Sequence, residues 1–415
     1  MISAELRRAP EKILLPRGFS FSALAAGIKA SGRPDLALVE IADGATAAAL
    51  FTTNRVVAAP IEVGRAALAA TKGRVRAVIV NSGNANCATG RSGIQACERV
   101  CREAARILAV PAEEVFPSST GIIGVRLPHA KICAHLSQLI AARSASEQSV
   151  RDFANAIMTT DTRPKIASVR FRAANAASTG ASTGDVTLLG IAKGAGMIHP
   201  QLATMLVYIF TDAASNRRDL QALLRDACDE SLNCMSIDGD TSTNDTVLLL
   251  ASGASGASID RRQTRKKFSA ALTAVCQSLA EQIISDGEGV DHVIRLHVEK
   301  ARTRQEALTV ARTIAHSALV KTAWAGADPN WGRILAAAGR SGVPIDPARV
   351  QIFIGSQRVC RNGAACQFNQ QQAHRALAQP VCDVRVELER GRESVQFLTT
   401  DLTAEYVRIN ADYST

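Results

Sequence analysis

Short apolar runs, set between stretches of helical periodicity, constrain this 415-residue chain more than any other feature. The runs at 36–41, 77–80, 186–191, 205–210, 246–250, 293–298 and 384–388 have the length and β-branched content of strands. Between them, Ile94, Cys97, Cys101, Ala104 and Leu108 keep a helical spacing, as do Leu220, Leu223, Leu224, Ala227 and Leu232, and Phe268, Leu272, Val275, Leu279 and Ile283. Helices with one apolar face need sheets to cover them, so a layered α/β fold is expected. No strict βαβ alternation runs through the chain, and no GxGxxG or Walker A pattern opens a helix, which argues against a classical nucleotide-binding fold. The length exceeds what one core usually reaches, so two domains or two tightly packed halves are expected. With 47% hydrophobic residues and only 4% aromatic ones, the core must be built from Ala, Val, Leu and Ile.

The formal charge of +10 is unevenly placed: residues 1–203 hold 24 Lys and Arg against 14 Asp and Glu, and residues 204–415 hold 24 against 24. The basic residues are scattered and have few aromatics among them, so a small anionic metabolite is a better partner than nucleic acid. Glu5 and Glu11 interrupt the N-terminus and no apolar segment follows, so no secretory leader is expected, and the ten cysteines are expected to be reduced, in the cytosol. Cys97 and Cys101, like Cys360 and Cys366, lack the spacing of a metal site and read as buried structural thiols. No run approaches the ~18 apolar residues of a membrane-spanning helix.

Four segments have the composition of chemistry. Gly180-Ala181-Ser182-Thr183-Gly184 matches the GxSxG nucleophile elbow, but a small-residue loop precedes it and the strand-like VTLLGI follows, the reverse of the required context. A plain loop over 173–184 fits better. In KGAGMIHPQLATMLVYIFTD (193–212), a Gly-rich, Pro-containing turn delivers the chain abruptly into a dense apolar strand beginning beside Thr204. A hydroxyl in that position can attack the preceding carbonyl, shift the acyl group from nitrogen to oxygen and, after hydrolysis, leave an N-terminal threonine. Its α-amine, ordinarily titrating at about 7.7 to 8.0, would then serve as its base. A threonine opening a strand is also simply a β-former, and these residues alone leave both readings open. Ser119-Thr120-Gly121 reads as a tight turn whose exposed N–H groups would suit an oxyanion site, although from this motif alone a simple turn is the default reading. Ser236 to Asp245, SIDGDTSTND, lacks the closing Glu of an EF-hand and by default supplies caps and turn hydrogen bonds.

Taken in order, STGIIG (119–124), MTTDT (158–162), KGAGM…ATML (193–206), DGDTSTND (238–245), DGEG (286–289), GADPNWGR (326–333) and EYVRINADYST (405–415) resemble the ArgJ family, the ornithine/glutamate N-acetyltransferases of arginine biosynthesis. These seven segments extend over most of the chain. The resemblance implies a precursor that cuts itself between Ala203 and Thr204 into an α segment, 1–203, and a β segment, 204–415, which stay together as α₂β₂. It implies a layered α/β sandwich shared with self-processing aminopeptidases of the DmpA type.

Matched residue by residue, the resemblance makes Thr204 the nucleophile, with Thr120 and the backbone N–H of Gly121 on the oxyanion. Thr160, Lys193, Thr204, Glu288, Asn410 and Thr415 become substrate-binding, with Thr159 an adjacent alternative to Thr160. Lys193 suits a substrate carboxylate, and Glu288 an ammonium or a proton. The implied reaction moves acetyl from N2-acetylornithine to glutamate through an acetyl ester on Thr204, in ping-pong order, with acetyl-CoA a further donor in bifunctional members. No metal or prosthetic group is implied. The chain departs from the family pattern in having KGAGM where KGSGM is common and DYST where EYTT is usual; Ala195 thus lacks a hydroxyl and Asp412 is a shorter acid.

Overall fold

A computed structural model describes residues 12–173, 184–199 and 205–412. Among these residues the strands form two sheets. The first contains β1 (Phe19–Leu24), β2 (Leu36–Phe51), β3 (Arg74–Asn84), β4 (Val115–Ile122), β5 (Lys165–Arg172), β6 (Asp185–Lys193), β7 (Leu206–Thr211) and β8 (Thr246–Ala251). Its order is β4-β3-β2-β8-β7-β6-β5, with β1 paired to the first half of β2. The β3–β4 and β7–β8 pairs are parallel and the others antiparallel. The second contains β9 (Val293–Ala301), β10 (Gln351–Ile354), β11 (Gln357–Arg361), β12 (Ala364–Ala365), β13 (Val381–Glu387) and β14 (Glu393–Thr400), in the order β12-β11-β10-β13-β9-β14.

The helices are α1 (Ala59–Ala70), α2 (Gly90–Leu108), α3 (His129–Ala141), α4 (Glu147–Ala156), α5 (Arg217–Asp229), α6 (Arg262–Ile284), α7 (Arg304–Ala315), α8 (Ala318–Ala325), α9 (Trp331–Gly339), α10 (Gln370–Leu377) and α11 (Ala404–Asp412). The unbroken apolar runs of β7 and β8 follow from burial on both faces. Val207, Ile209, Val247 and Leu249 pack under α5 and α6, while Leu206, Tyr208, Phe210, Leu248 and Leu250 face β1 and α4. Phe21 and Phe153 meet Phe210 and Tyr208 edge-on, with ring centroids 5.2 and 5.7 Å apart. Helices α2 and α3 cover the β2–β3–β4 end, and α7 to α10 cover the second sheet. The result is a mixed α/β layered sandwich.

All seven expected strands and the three expected helices are present, with Leu232 falling in a short 3₁₀ turn after α5. One expectation is corrected. Ser119-Thr120-Gly121 is not a tight turn but the end of strand β4, pairing in parallel with Asn81, Ser82 and Gly83 of β3. Its polar side chains are buried and bonded within the sheet, so no apolar pattern marks it: Ser119 Oγ donates to Asn81 Oδ1 at 2.6 Å. The elbow-like sequence at 180–183 lies outside the described residues.

Candidate active site

Six parts of the chain converge on one pocket. It is lined by Thr120, Gly121 and Ile123 from the end of β4, Thr159 and Thr160 after α4, Lys193 at the end of β6 with Gly196 and Met197 beyond it, Ser242, Thr243 and Asn244 before β8, Glu288 after α6, and Asn410 on α11. Gly121, the last residue but one of β4, has φ +131°, and a Cβ there would lie 2.3 Å from the carbonyl carbon of Gly83. Only glycine lets the two strands approach this closely. Asn244 fixes the same strand end from the other side, its Nδ2 donating to the carbonyls of Ser119 at 2.9 Å and Ala85 at 2.7 Å.

The acids of the DGDTSTND loop hold both flanks of residues 200–204. Upstream, the Asp238 carboxylate accepts the N–H groups of Met197 at 2.5 Å and Ile198 at 2.9 Å, with Met197 in the left-handed region at φ +57°. A methionine at that φ is uncommon, and the two bonds to Asp238 hold it there. Downstream, Asp245 Oδ1 accepts the Met205 N–H at 2.8 Å, and the Met205 carbonyl accepts the Thr246 N–H at 3.2 Å. The β6–β7 register sets Lys193 opposite Leu206, beside the downstream flank, and Met197 of the upstream flank lines the same pocket as Lys193.

Burial dominates the charges. The fully buried Lys193 Nζ donates to Thr120 Oγ1 at 3.2 Å. Burial pulls its pKa down, Asp161 opposes that most strongly, Lys165 adds to it, and Asp245 and Glu288 oppose it. Burial likewise pushes the Asp245 carboxyl well above the carboxylate range, and raises Asp238 to about 6 despite its backbone donors. Burial alone would push Asp161 upward too, but Lys165, Lys193 and the Gly194 N–H hold it below the usual range. Glu288 lies against the backbone, because a Cβ on Gly196 would come within 2.4 Å of its carboxylate, and it accepts from Asn410 Nδ2 at 2.9 Å.

Of the residues singled out in the sequence, Thr120, Gly121, Thr159, Thr160, Lys193, Glu288 and Asn410 are brought together. Ala203, Thr204 and Thr415 lie outside the described residues. Sequence reasoning passes over Asp161, Lys165, Asn244, Asp245 and Asp286, although Asp161, Asn244, Asp245 and Asp286 stand inside the quoted segments. All ten cysteines are unpaired and eight are buried, Cys97, Cys101 and Cys360 among them, whereas Cys366 is only half-buried, contrary to expectation; no group of three or more potential metal ligands occurs among the described residues. No helix among them is long and apolar enough to cross a membrane.

A family model described as the ArgJ family matches residues 20–415. The chain belongs to the ArgJ family. Proteins named arginine biosynthesis bifunctional protein ArgJ are 44% identical to it over 402 residues in Methylococcus capsulatus, covering 96% of this chain and 95% of that one. The Thermus thermophilus protein of the same name is 43% identical over 403 residues, covering 97% and 100%. Among solved structures, ArgJ of Bacillus halodurans is 38% identical, covering 51% of this chain and 100% of that one with a TM-score of 0.49. The ornithine acetyltransferase of Mycobacterium tuberculosis, complexed with ornithine, is 37% identical and covers 45% and 92%, with a TM-score of 0.37. Membership in the ArgJ family makes this chain an acetyltransferase of arginine biosynthesis.

Proposed function

We propose that the chain cuts itself between Ala203 and Thr204, and that the two pieces, 1–203 and 204–415, form an α₂β₂ enzyme of the cytoplasm. Thr204 then carries acetyl from N2-acetyl-L-ornithine to L-glutamate. The observation that supports this most directly is that one loop seats both flanks of residues 200–204, through Asp238 and Asp245, beside the pocket holding Thr120, Gly121 and Lys193. In the donor half-reaction, Thr204 Oγ gives its proton to the Thr204 α-amine and attacks the acetyl carbonyl. Thr120 and the Gly121 N–H stabilise the oxyanion. The C–N bond breaks, ornithine leaves with that proton, and acetyl remains as an ester. The glutamate amine then attacks the ester carbonyl, the C–Oγ bond breaks, and Oγ recovers a proton, so both half-reactions share one site in ping-pong order.

Lys193 faces the carboxylate common to the amino-acid substrates, with Thr160, or its neighbour Thr159, beside it. Glu288, held by Asn410, faces the ornithine ammonium, and Asn410 and Thr415 also bind substrate. Acetyl-CoA is a further acetyl donor at the same threonine, and no metal or prosthetic group enters the route. Intact mass spectrometry of the wild type and Thr204→Ala, with an assay of acetyl transfer from N-acetylornithine to glutamate, tests this. Two fragments meeting at 203/204 and active in the wild type, against one inactive chain in the variant, are expected. An uncut wild type, or a variant that still transfers, overturns it.

A further inference from the structure

Beneath the pocket lies a buried set of charges that the reaction does not touch. Lys165, fully buried at the start of β5, donates Nζ to Asp161 Oδ1 and to Asp286 Oδ2, each at 2.5 Å. Asp161 Oδ1 also accepts the Gly194 N–H at 2.7 Å, and Oδ2 the Thr159 N–H at 3.0 Å. Asp286 accepts from the Thr162 N–H at 3.0 Å and from its hydroxyl. Through these bonds the three charged side chains tie together the peptide units next to Thr160, next to Lys193 and, two residues along the chain, before Glu288.

Buried ions of this kind are weak evidence for stability, because well-packed apolar side chains of similar volume usually serve a core as well or better. Here their bonds go to the backbone of the segments that carry the pocket's polar groups. With Lys193, the set balances two buried cations against two buried anions.

We propose that Asp161 is a positioning residue for substrate, with Lys165, which it shares with Asp286, as its counter-charge: it fixes Thr160 and Lys193 in a single arrangement that receives the substrate carboxylate. This rests on the reading that those two residues contact substrate. The groups facing Lys193 are Asp161, Lys165, Asp245 and Glu288, with Lys29 also within electrostatic range. Asp161 is the anion that most strongly keeps Lys193 protonated against its burial. Removing its charge makes Lys193 lose its proton at lower pH.

The test is kinetic, on purified, self-processed enzyme, with Asp161→Asn and the charge-balanced pair Asp161→Asn/Lys165→Met. Loss of a charge-assisted bond network corresponds to an increase in KM of about 10- to 100-fold for both N-acetylornithine and glutamate, with kcat within about threefold. The alkaline limb of kcat/KM should move to lower pH in both variants, less far in the pair, because removing Lys165 also removes a charge that lowers the Lys193 pKa. In the pair, which restores neutrality, melting temperature should return towards that of the wild type while KM stays high. A merely structural role would make KM and the pH profile recover with the melting temperature, and that result overturns the inference. So does an Asp161→Asn chain that fails to cut, since the role assigned is confined to seating substrate. Failure of the wild type itself to transfer acetyl would instead remove the reading on which it rests.

Discussion

Gly121 joins backbone geometry to chemistry at the scale of one residue. Its φ of +131°, and the 2.3 Å that would separate an added methyl from Gly83, leave no room for any side chain unless the ends of β3 and β4 part. Parting them moves the very N–H assigned to the oxyanion. Gly121→Ala is therefore expected to lower kcat by about 10²- to 10³-fold, the usual cost of one oxyanion donor. Steady-state rates on a preparation shown by mass to be cut would check it; a rate within tenfold of the wild type would remove Gly121 from the mechanism. This position also shows where sequence reading falls short. The polar Ser119-Thr120 reads as a turn because strand recognition relies on apolar alternation, whereas a buried polar strand end is held by partners distant in sequence, Asn81 and Asn244. Asp161 escapes although its lysine is only four residues away, because its burial and its bond to the Gly194 N–H, distant in sequence, leave no local mark that separates it from a capping acid.

At the scale of elements, legibility follows burial. The strands that the sequence reveals, including β7 and β8, carry apolar runs, and the helices it reveals have one continuous apolar stripe. β14, ESVQFLTT, begins with two exposed positions and ends in two buried threonines, so its pattern is diluted although it pairs along most of β9. α11 is the opposite extreme, a helix with no buried residue that nevertheless carries Asn410 to Glu288. Its ion pairs, Arg408 with Glu405 and Asp412, are exposed and contribute little to stability. Deleting 404–415 is therefore expected to leave the melting temperature within about 4 °C of the wild type. Losing the bond to Glu288 should raise KM for N-acetylornithine about tenfold or more. Calorimetry and kinetics on the truncated enzyme would show this, and a collapse of the melting temperature would mean that α11 belongs to the core.

At the scale of the whole molecule, the proposed cut does not follow a boundary of the fold. Strands β7 and β8 come after it in sequence but lie in the interior of the first sheet, between β2 and β6, which come before it. Each junction is a ladder of six residue pairs, Thr46 to Phe51 with β8 and Leu188 to Lys193 with β7. The apolar faces of β7 and β8 are buried beneath α5 and α6 on one side and against β1 and α4 on the other, so neither piece can form this sheet alone. The contact between the pieces is a protein core, in which hydrophobic burial and backbone ladders dominate and salt has little to screen. The cut pieces should accordingly co-elute on gel filtration in about 1 M salt, where the Debye length is ~3 Å, and separate only in denaturant. The unfolded 1–203 piece should then bind a cation exchanger more tightly than 204–415, because it carries the whole basic excess. Expressed separately, each piece should be insoluble, and co-expression should restore both solubility and transfer. Separation in salt alone would mean that the pieces meet only at their surfaces, contrary to a sheet in which strands of one are laddered between strands of the other.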